Sequence, residues 1–383
     1  MTNRPRPPAA SLAPHVAAGL AAAADQAGSR QAGMPTVTAL AGGVGAARML
    51  KGLVAEVGPL AVTAIINTAD DIVLHGLHIS PDIDTVTYTL AGAANPQTGW
   101  GLDGESWAVM GALRAFEPHS GQDRGPAPLT WFALGDKDLA THLYRTGRLA
   151  AGAPLSQVTM EVARRFGVQA HLVPMTDGRV ETRVTVELPV GGAREIGFQE
   201  YFVGLRHDVP VKRLHFAGAE SSSPAPGALA AIERADVVVI CPSNPLVSIG
   251  PILAVPGLAQ AVARRRDRNV AVSPIIAGRA LKGPADRMLY ELGHEPSATG
   301  VARLWAPLAA TLVVDEADAE LAPRIEAEGM RAVVARSVMA GPKEAAALAR
   351  TALAAVLSGD WARDTPAASA PGPAPDGPMG SAP

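Results

Sequence analysis

The sequence predicts an α/β fold, a mainly parallel sheet with helices on both faces and a small inserted subregion. Three observations carry that expectation. Short β-branched apolar runs (Val37–Leu40, Val62–Ile66, Val237–Ile240, Val270–Ser273, Thr311–Val314) lack polar alternation, as strands covered on both faces do. Helix-length segments separate these runs, the rhythm of βαβ units. Glycine-rich and acidic segments follow directly after the runs, so they would converge at one edge of the sheet, where such folds bind ligands.

In chain order, residues 1–35 are rich in Ala, Pro and Gln and predict a disordered extension, too poor in large apolar groups to offset ordering entropy. The stretch Ser11–Ala24 lacks the leucine-rich core of a signal peptide. Residues 36–360 form one domain, with an insertion around 140–225. Val37–Leu40 feeds the turn Ala41-Gly42-Gly43-Val44-Gly45, and a helix from Ala46 to Val57 follows. After Val62–Ile66, helices are expected over Asp84–Ala94 and Gly104–Phe116, then a Pro/Gly loop from Glu117 to Pro128. Trp131–Asp138 reads as a strand ending in an acidic turn, with a helix over Leu139–Arg145. Ser156 would cap a helix Gln157–Phe166 that Gly167 stops. Val180–Leu188 alternates apolar and polar residues, and with Glu200–Val203 it is expected to form an insertion beside the main sheet. A helix Pro226–Arg234, a late strand Ala332–Val334 and a closing helix Glu344–Leu357 complete the domain, and 361–383 reads as a second disordered tail.

Composition narrows the function classes. A net charge of −3 and 4% aromatics argue against nucleic-acid binding, and no stretch has the ~20 strongly apolar residues of a membrane span. The single Cys241 excludes an internal disulfide or a cysteine-cluster zinc site and fits a reducing, cytoplasmic setting.

Gly43-x-Gly45-x-x-Arg48 resembles a dinucleotide turn with its third glycine replaced, and no Lys-Ser/Thr pair makes it a Walker loop. Arg48 near a helix N-terminus favours phosphate, because a guanidinium can grip two oxygens. Asp70, Asp71, Asp82 and Asp84 crowd around a strand end and would repel one another without a cation. Hard oxygen ligands suit Mg²⁺. The same acids would also serve as turn residues. Asp136, Asp138 and His142 would cap a helix or bind polar groups of a substrate, and Ser243-Asn244-Pro245 offers donors and acceptors in a loop or an ordinary turn. Cys241 ends a buried strand and reads as packing.

Taken together, Ala41-Gly42-Gly43-Val44-Gly45, Asn67-Thr68-Ala69-Asp70-Asp71 and Ile79-Ser80-Pro81-Asp82-Ile83-Asp84-Thr85-Val86 resemble the 2-phospho-L-lactate transferase family of coenzyme F420 biosynthesis. The likeness continues through Leu134-Gly135-Asp136-Lys137-Asp138-Leu139-Ala140-Thr141-His142, Phe198–Tyr201, Pro242–Ile252 and Ser273–Ile276, in the same order. The resemblance implies a Rossmann-like, Mg²⁺-dependent homodimer. The ribityl hydroxyl of the deazaflavin Fo would attack the phosphorus of a guanosine diphosphate-linked three-carbon acid, enolpyruvyl in many bacteria and lactyl in others, releasing GMP. It further implies that Gly42, Gly43, Gly45, Arg48, Ser243, Asn244 and Pro245 face the nucleotide. Asp82, Asp84, Asp136, Asp138 and His142 would lie toward Fo, and Asp70, Asp71 and Asp84 would be catalytic, with Asp70 and Asp84 on the metal. Base and metal ligand are not separated at this level. Two competing readings are a nucleotide-sugar-binding regulatory protein on the same scaffold and a nicotinamide-dependent oxidoreductase. The acidic segments argue against both.

Overall fold

The computed structural model describes residues 34–117, 129–188 and 190–357; residues 1–33, 118–128, 189 and 358–383 lie outside them, and so do most of the expected disordered ends and of the expected Pro/Gly loop. The first strand, β1 (Val37–Ala41), enters helix α1 (Gly43–Val57), which is followed by β2 (Val62–Ile66). A hairpin of β3 (Ile72–Leu74) and β4 (Leu77–Ile79) precedes α2 (Pro81–Leu90), α3 (Ala108–Arg114) and α4 (Asp136–Ala150). Then come β5 (His171–Pro174), the antiparallel strands β6 (Glu181–Leu188), β7 (Gly192–Gly197) and β8 (Val211–Ala217), and β9 (Val237–Ile240). The chain closes with β10 (Asn269–Val272), a small hairpin of β11 (Ile275–Ile276) and β12 (Arg279–Ala280), β13 (Thr311–Asp315), β14 (Arg331–Ala335) and helix α5 (Pro342–Ala354).

Seven strands form one parallel sheet in the order β14-β13-β10-β9-β1-β2-β5. This is the expected Rossmann-like arrangement. Strands β1, β9 and β10 are buried at every position, and successive residues feed opposite cores: Leu40, Val238 and Ala271 pack on one face, Ala39, Val239 and Val272 on the other. Strand order reverses between β1 and β9, so the turns leaving their C-terminal ends flank a crevice.

A separate antiparallel sheet, β7-β6-β8, answers the alternating pattern: Thr182, Val184 and Val186 are buried. Val184, Val186 and Ile196 pack with Val247 and Met288, which seats this sheet on the segment after β9. Glu200–Gly204 forms a π-helical turn in which Tyr201 is buried, while Phe198 and Phe202 stack on each other. Several local expectations are corrected. Trp131–Asp138 forms no strand; α4 begins at Asp136, with the Glu105 carboxylate accepting from the Lys137 and Asp138 backbone N–H. Ser156 does not cap: the helix runs Leu155–Arg165, and the Ser156 N–H and hydroxyl both donate to Asp177. Helix α2 starts three residues before the expected Asp84, with Pro81 at its first position, where a missing N–H costs nothing. The β3–β4 hairpin was not foreseen; His75 and Gly76 both take positive φ, as a tight two-residue turn demands. Among the described residues no helix is long and apolar enough to cross a membrane.

Helices α1 and α5 cross so closely that a Cβ on Gly52 would lie 2.1 Å from the Ala345 carbonyl oxygen. Gly52→Ala therefore lowers stability by about 1–3 kcal/mol through overpacking, against alanine's better helix propensity. A urea midpoint at or above wild type would refute this close-packing account.

Candidate functional site

The site grows from the β1–α1 turn. Gly42 is extended, and a Cβ there would come within 2.9 Å of Asp82 Oδ2 and of Ser248 Cβ. Gly43 opens α1 at φ +75°, which only glycine takes without strain, and its N–H donates to Asp82 Oδ1 at 2.8 Å. Gly45 has no room for a side chain because the Pro242 carbonyl oxygen would be 2.4 Å from its Cβ. The Ser243 hydroxyl donates to the Gly42 carbonyl at 2.8 Å, tying the loop after β9 to the glycine turn. Asn244 Oδ1 accepts from the Leu246 N–H, and Pro245 starts the helical turn that follows. Arg48 lies further along α1, and its guanidinium donates to the Met339 carbonyl at 3.2 Å.

The acids fall into two groups. In the first, the Asn67 side-chain amide donates to Asp70 Oδ2 at 3.1 Å and to Asp82 Oδ2 at 2.9 Å. The Ser80 hydroxyl donates to Asp71 Oδ2 at 2.6 Å. Burial pushes Asp70 and Asp71 well above the ordinary carboxylate range, and the negative charge of Asp82 pushes Asp70 further. Burial raises Asp82 to about 6 despite its bonds from Asn67 and Gly43. The Oδ1 atoms of Asp70 and Asp71 are buried and have no hydrogen-bond partner.

In the second group Arg145, 1% exposed, grips both oxygens of Asp84. It also donates to the His78 carbonyl and to His142 Nδ1 at 3.2 Å. Arginine only donates, so Nδ1 accepts and the neutral imidazole carries its proton on Nε2, which faces Asp138 Oδ2 at 3.4 Å. The Tyr88 hydroxyl donates to Asp138 Oδ1 at 2.6 Å. Burial raises Asp84 in spite of the guanidinium; Asp138 is also desolvated, but His142 and Tyr88 hold it below its usual range. Asp84, Asp138 and His142 each offer a ligand atom within 4.8 Å of the others, yet Arg145 already supplies a cation to Asp84.

Most expected site residues thus lie around the β1–β9 crevice and the α2–α4 contact, with different partners from those expected. Asp70 and Asp84 belong to separate groups. Asp82 sits on the glycine turn. Asp136 is half-buried and caps α3, accepting from the Ser106 hydroxyl and the Ala108 and Val109 N–H groups, which hold its carboxyl below the usual range. No role for Arg145, Tyr88, Ser80 or Asn67 follows from the sequence motifs. Asn67 lies inside a motif that was recognised, whereas Arg145 is 61 residues from Asp84, and no local pattern links them.

Comparisons with known proteins agree with this architecture. Residues 37–353 match the family described as 2-phospho-L-lactate transferase CofD. The chain is 44% identical over 320 residues to a phosphoenolpyruvate transferase of Kitasatospora aureofaciens, covering 83% of this chain and 97% of that one. It is 43% identical over 326 residues to one of Thermobifida fusca, covering 83% and 96%, and 39% identical over 327 residues to one of Mycolicibacterium smegmatis, covering 83% and 97%. A UPF0052-family protein of Bacillus halodurans shares the fold at TM-score 0.53 and 16% identity, over 84% of this chain and 99% of that one. With nearly the whole described domain inside the match, this chain belongs to the 2-phospho-L-lactate transferase CofD family.

Proposed function

We propose that this protein transfers a phosphoenolpyruvyl group from its guanosine diphosphate-linked form to the ribityl hydroxyl of the deazaflavin Fo in coenzyme F420 biosynthesis. GMP leaves, and the product is the phosphodiester dehydro-F420-0. The relatives named phosphoenolpyruvate transferase favour the enolpyruvyl group over the lactyl one. The observation that carries the reading is the set of buried acids Asp70, Asp82 and Asp84, with half-buried Asp71, near the glycine turn, where one guanidinium, Arg145, answers them.

That charge imbalance fits Mg²⁺. Asp70 and Asp71 present all-oxygen donors with buried, unpartnered Oδ1 atoms, and Mg²⁺ typically takes one or two carboxylates plus substrate phosphates. Bound there, the ion would neutralise the diphosphate. The chain's own groups do the rest. The β1–α1 turn and the Ser243–Pro245 loop receive the nucleotide across the β1–β9 crevice. The attacking hydroxyl forms the new O–P bond as the bond from that phosphorus to the GMP oxygen breaks. Of Asp70 and Asp71, the carboxylate not held by the ion would take the hydroxyl proton. Phosphoryl transfer gains most from such positioning and charge neutralisation.

Asp70→Asn removes the charge at nearly constant shape. It should cut transfer by at least about a hundredfold and abolish Mg²⁺-induced thermal stabilisation, while the metal-free protein melts no lower than wild type. An active, Mg²⁺-responsive Asp70→Asn protein would sink this assignment. Arg145→Met leaves Asp84 buried and unpaired and should cost about 3–5 kcal/mol in urea unfolding. Adding Asp84→Asn to it should recover a large part of the loss; no recovery would show that Arg145 stabilises by other means.

A further inference from the structure

Resting on the Mg²⁺ reading of the Asp70 group, we propose that Thr182, on β6 of the inserted sheet, positions Asp70 for the cation by offering its hydroxyl to the carboxylate. Thr182 acts through Asp70 and is a positioning residue.

Two hydrogen bonds join the inserted sheet to the acidic loop. The Thr182 N–H donates to the Ala69 carbonyl at 2.8 Å. From the segment after β7, the Gln199 side-chain amide donates to the Asp70 carbonyl at 3.3 Å, across 129 residues. Thr182 is fully buried and Gln199 is 6% exposed. Both bonds hold main-chain oxygens, so they fix where the loop runs and leave the Asp70 carboxylate to its side-chain partners. Through Gln199 the Phe198–Tyr201 motif gains a part in the site.

Burial and the charges of Asp82 and Asp71 raise the proton affinity of that carboxylate, and the Thr182 hydroxyl and Asn67 act against them. Asn67 is already committed, since its amide donates to both Asp70 Oδ2 and Asp82 Oδ2. Thr182 is not. Its Oγ1 and Asp70 Oδ1 are both buried, and neither has a hydrogen-bond partner. Leaving a donor and an acceptor unpaired out of water costs stability, so such atoms need a reason to be there.

Packing does not supply the reason. The next two inward positions of β6 are Val184 and Val186, and a valine at 182 would fill the same space without the hydroxyl. Metal chemistry does supply one. A carboxylate that holds a cation keeps lone pairs for an outer partner, which orients it and strengthens its grip on the ion. Thr182 is a neutral donor facing Asp70, so it can serve in this way without a charge that competes with the cation.

The test is calorimetric titration of the full-length chain with Mg²⁺, beside thermal melting of the metal-free protein. Thr182→Val keeps the shape and removes the hydroxyl. It should weaken Mg²⁺ binding roughly tenfold or more, the usual cost of deleting an outer partner. The metal-free variant should melt at or above wild type, because an unpaired buried hydroxyl is gone. Thr182→Ser keeps the hydroxyl and should hold Mg²⁺ affinity within about threefold of wild type. A threonine that serves only the fold gives the opposite pattern, with Thr182→Val melting lower and its Mg²⁺ affinity unchanged, and that result would overturn the assignment. Equal losses of Mg²⁺ affinity in the valine and serine variants would overturn it as well. If the wild-type protein binds no Mg²⁺, the metal reading itself fails and takes Thr182 with it, whereas wild-type binding with an unaffected valine variant removes Thr182 alone.

Discussion

Burying carboxylates together is the constraint around which this structure is arranged. Asp70, Asp82 and Asp84 are nearly out of water and Asp71 is half-buried, and desolvation works against every one of their charges. Each is held by a fixed donor: Asn67 for Asp70 and Asp82, Ser80 for Asp71, Arg145 for Asp84. The glycine turn belongs to the same arrangement, since the Gly43 N–H donates to Asp82 and Gly42 leaves the space that its carboxylate occupies. A buried acid without such partners would take up a proton or force the fold open.

The parallel sheet makes this crowding attainable. Because strand order reverses between β1 and β9, neighbouring turns diverge and leave a crevice. The Ser243 bond to the Gly42 carbonyl ties its two walls together. The acids enter from β2's exit and from α2, whose first turn carries Asp82 and Asp84 where a helix N-terminus favours negative charge. Helix α4 then brings Arg145 and His142 against them on one face, at i and i+3. The two halves differ in what they lack: in one Arg145 sets a guanidinium against Asp84, whereas the Asp70 half retains unpartnered oxygens.

The caps between α3 and α4 illustrate how local signals can be right in kind and misplaced in space. Acidic residues near Asp136 were legible as helix-cap chemistry, yet Asp136 caps α3 while Glu105, from the other side, caps α4. Ser156 was a reasonable cap by type, but Asp177 reached its N–H first. Such exchanges depend on chain segments meeting in three dimensions.

By itself the sequence determined the parallel sheet, the sites of six of its seven strands and the family; the edge strand β5 (His171–Pro174) is not among them. Those follow from features the chain carries locally: unbroken β-branched runs, their helical spacing, and motifs in a fixed order. The gathering of the Gly42–Gly45, Asn67–Asp71 and Ser243–Pro245 segments at one sheet edge was also legible, because strand C-termini in such a sheet point one way. Only the tertiary structure decided which partner each acid has. Asp84 meets Arg145 across 61 residues, Asp82 meets Gly43 across 39, and Ser243 meets Gly42 across 201. Spacing along a chain carries no information about such pairings, since they are set by how helices pack on the sheet and by which charges that packing buries.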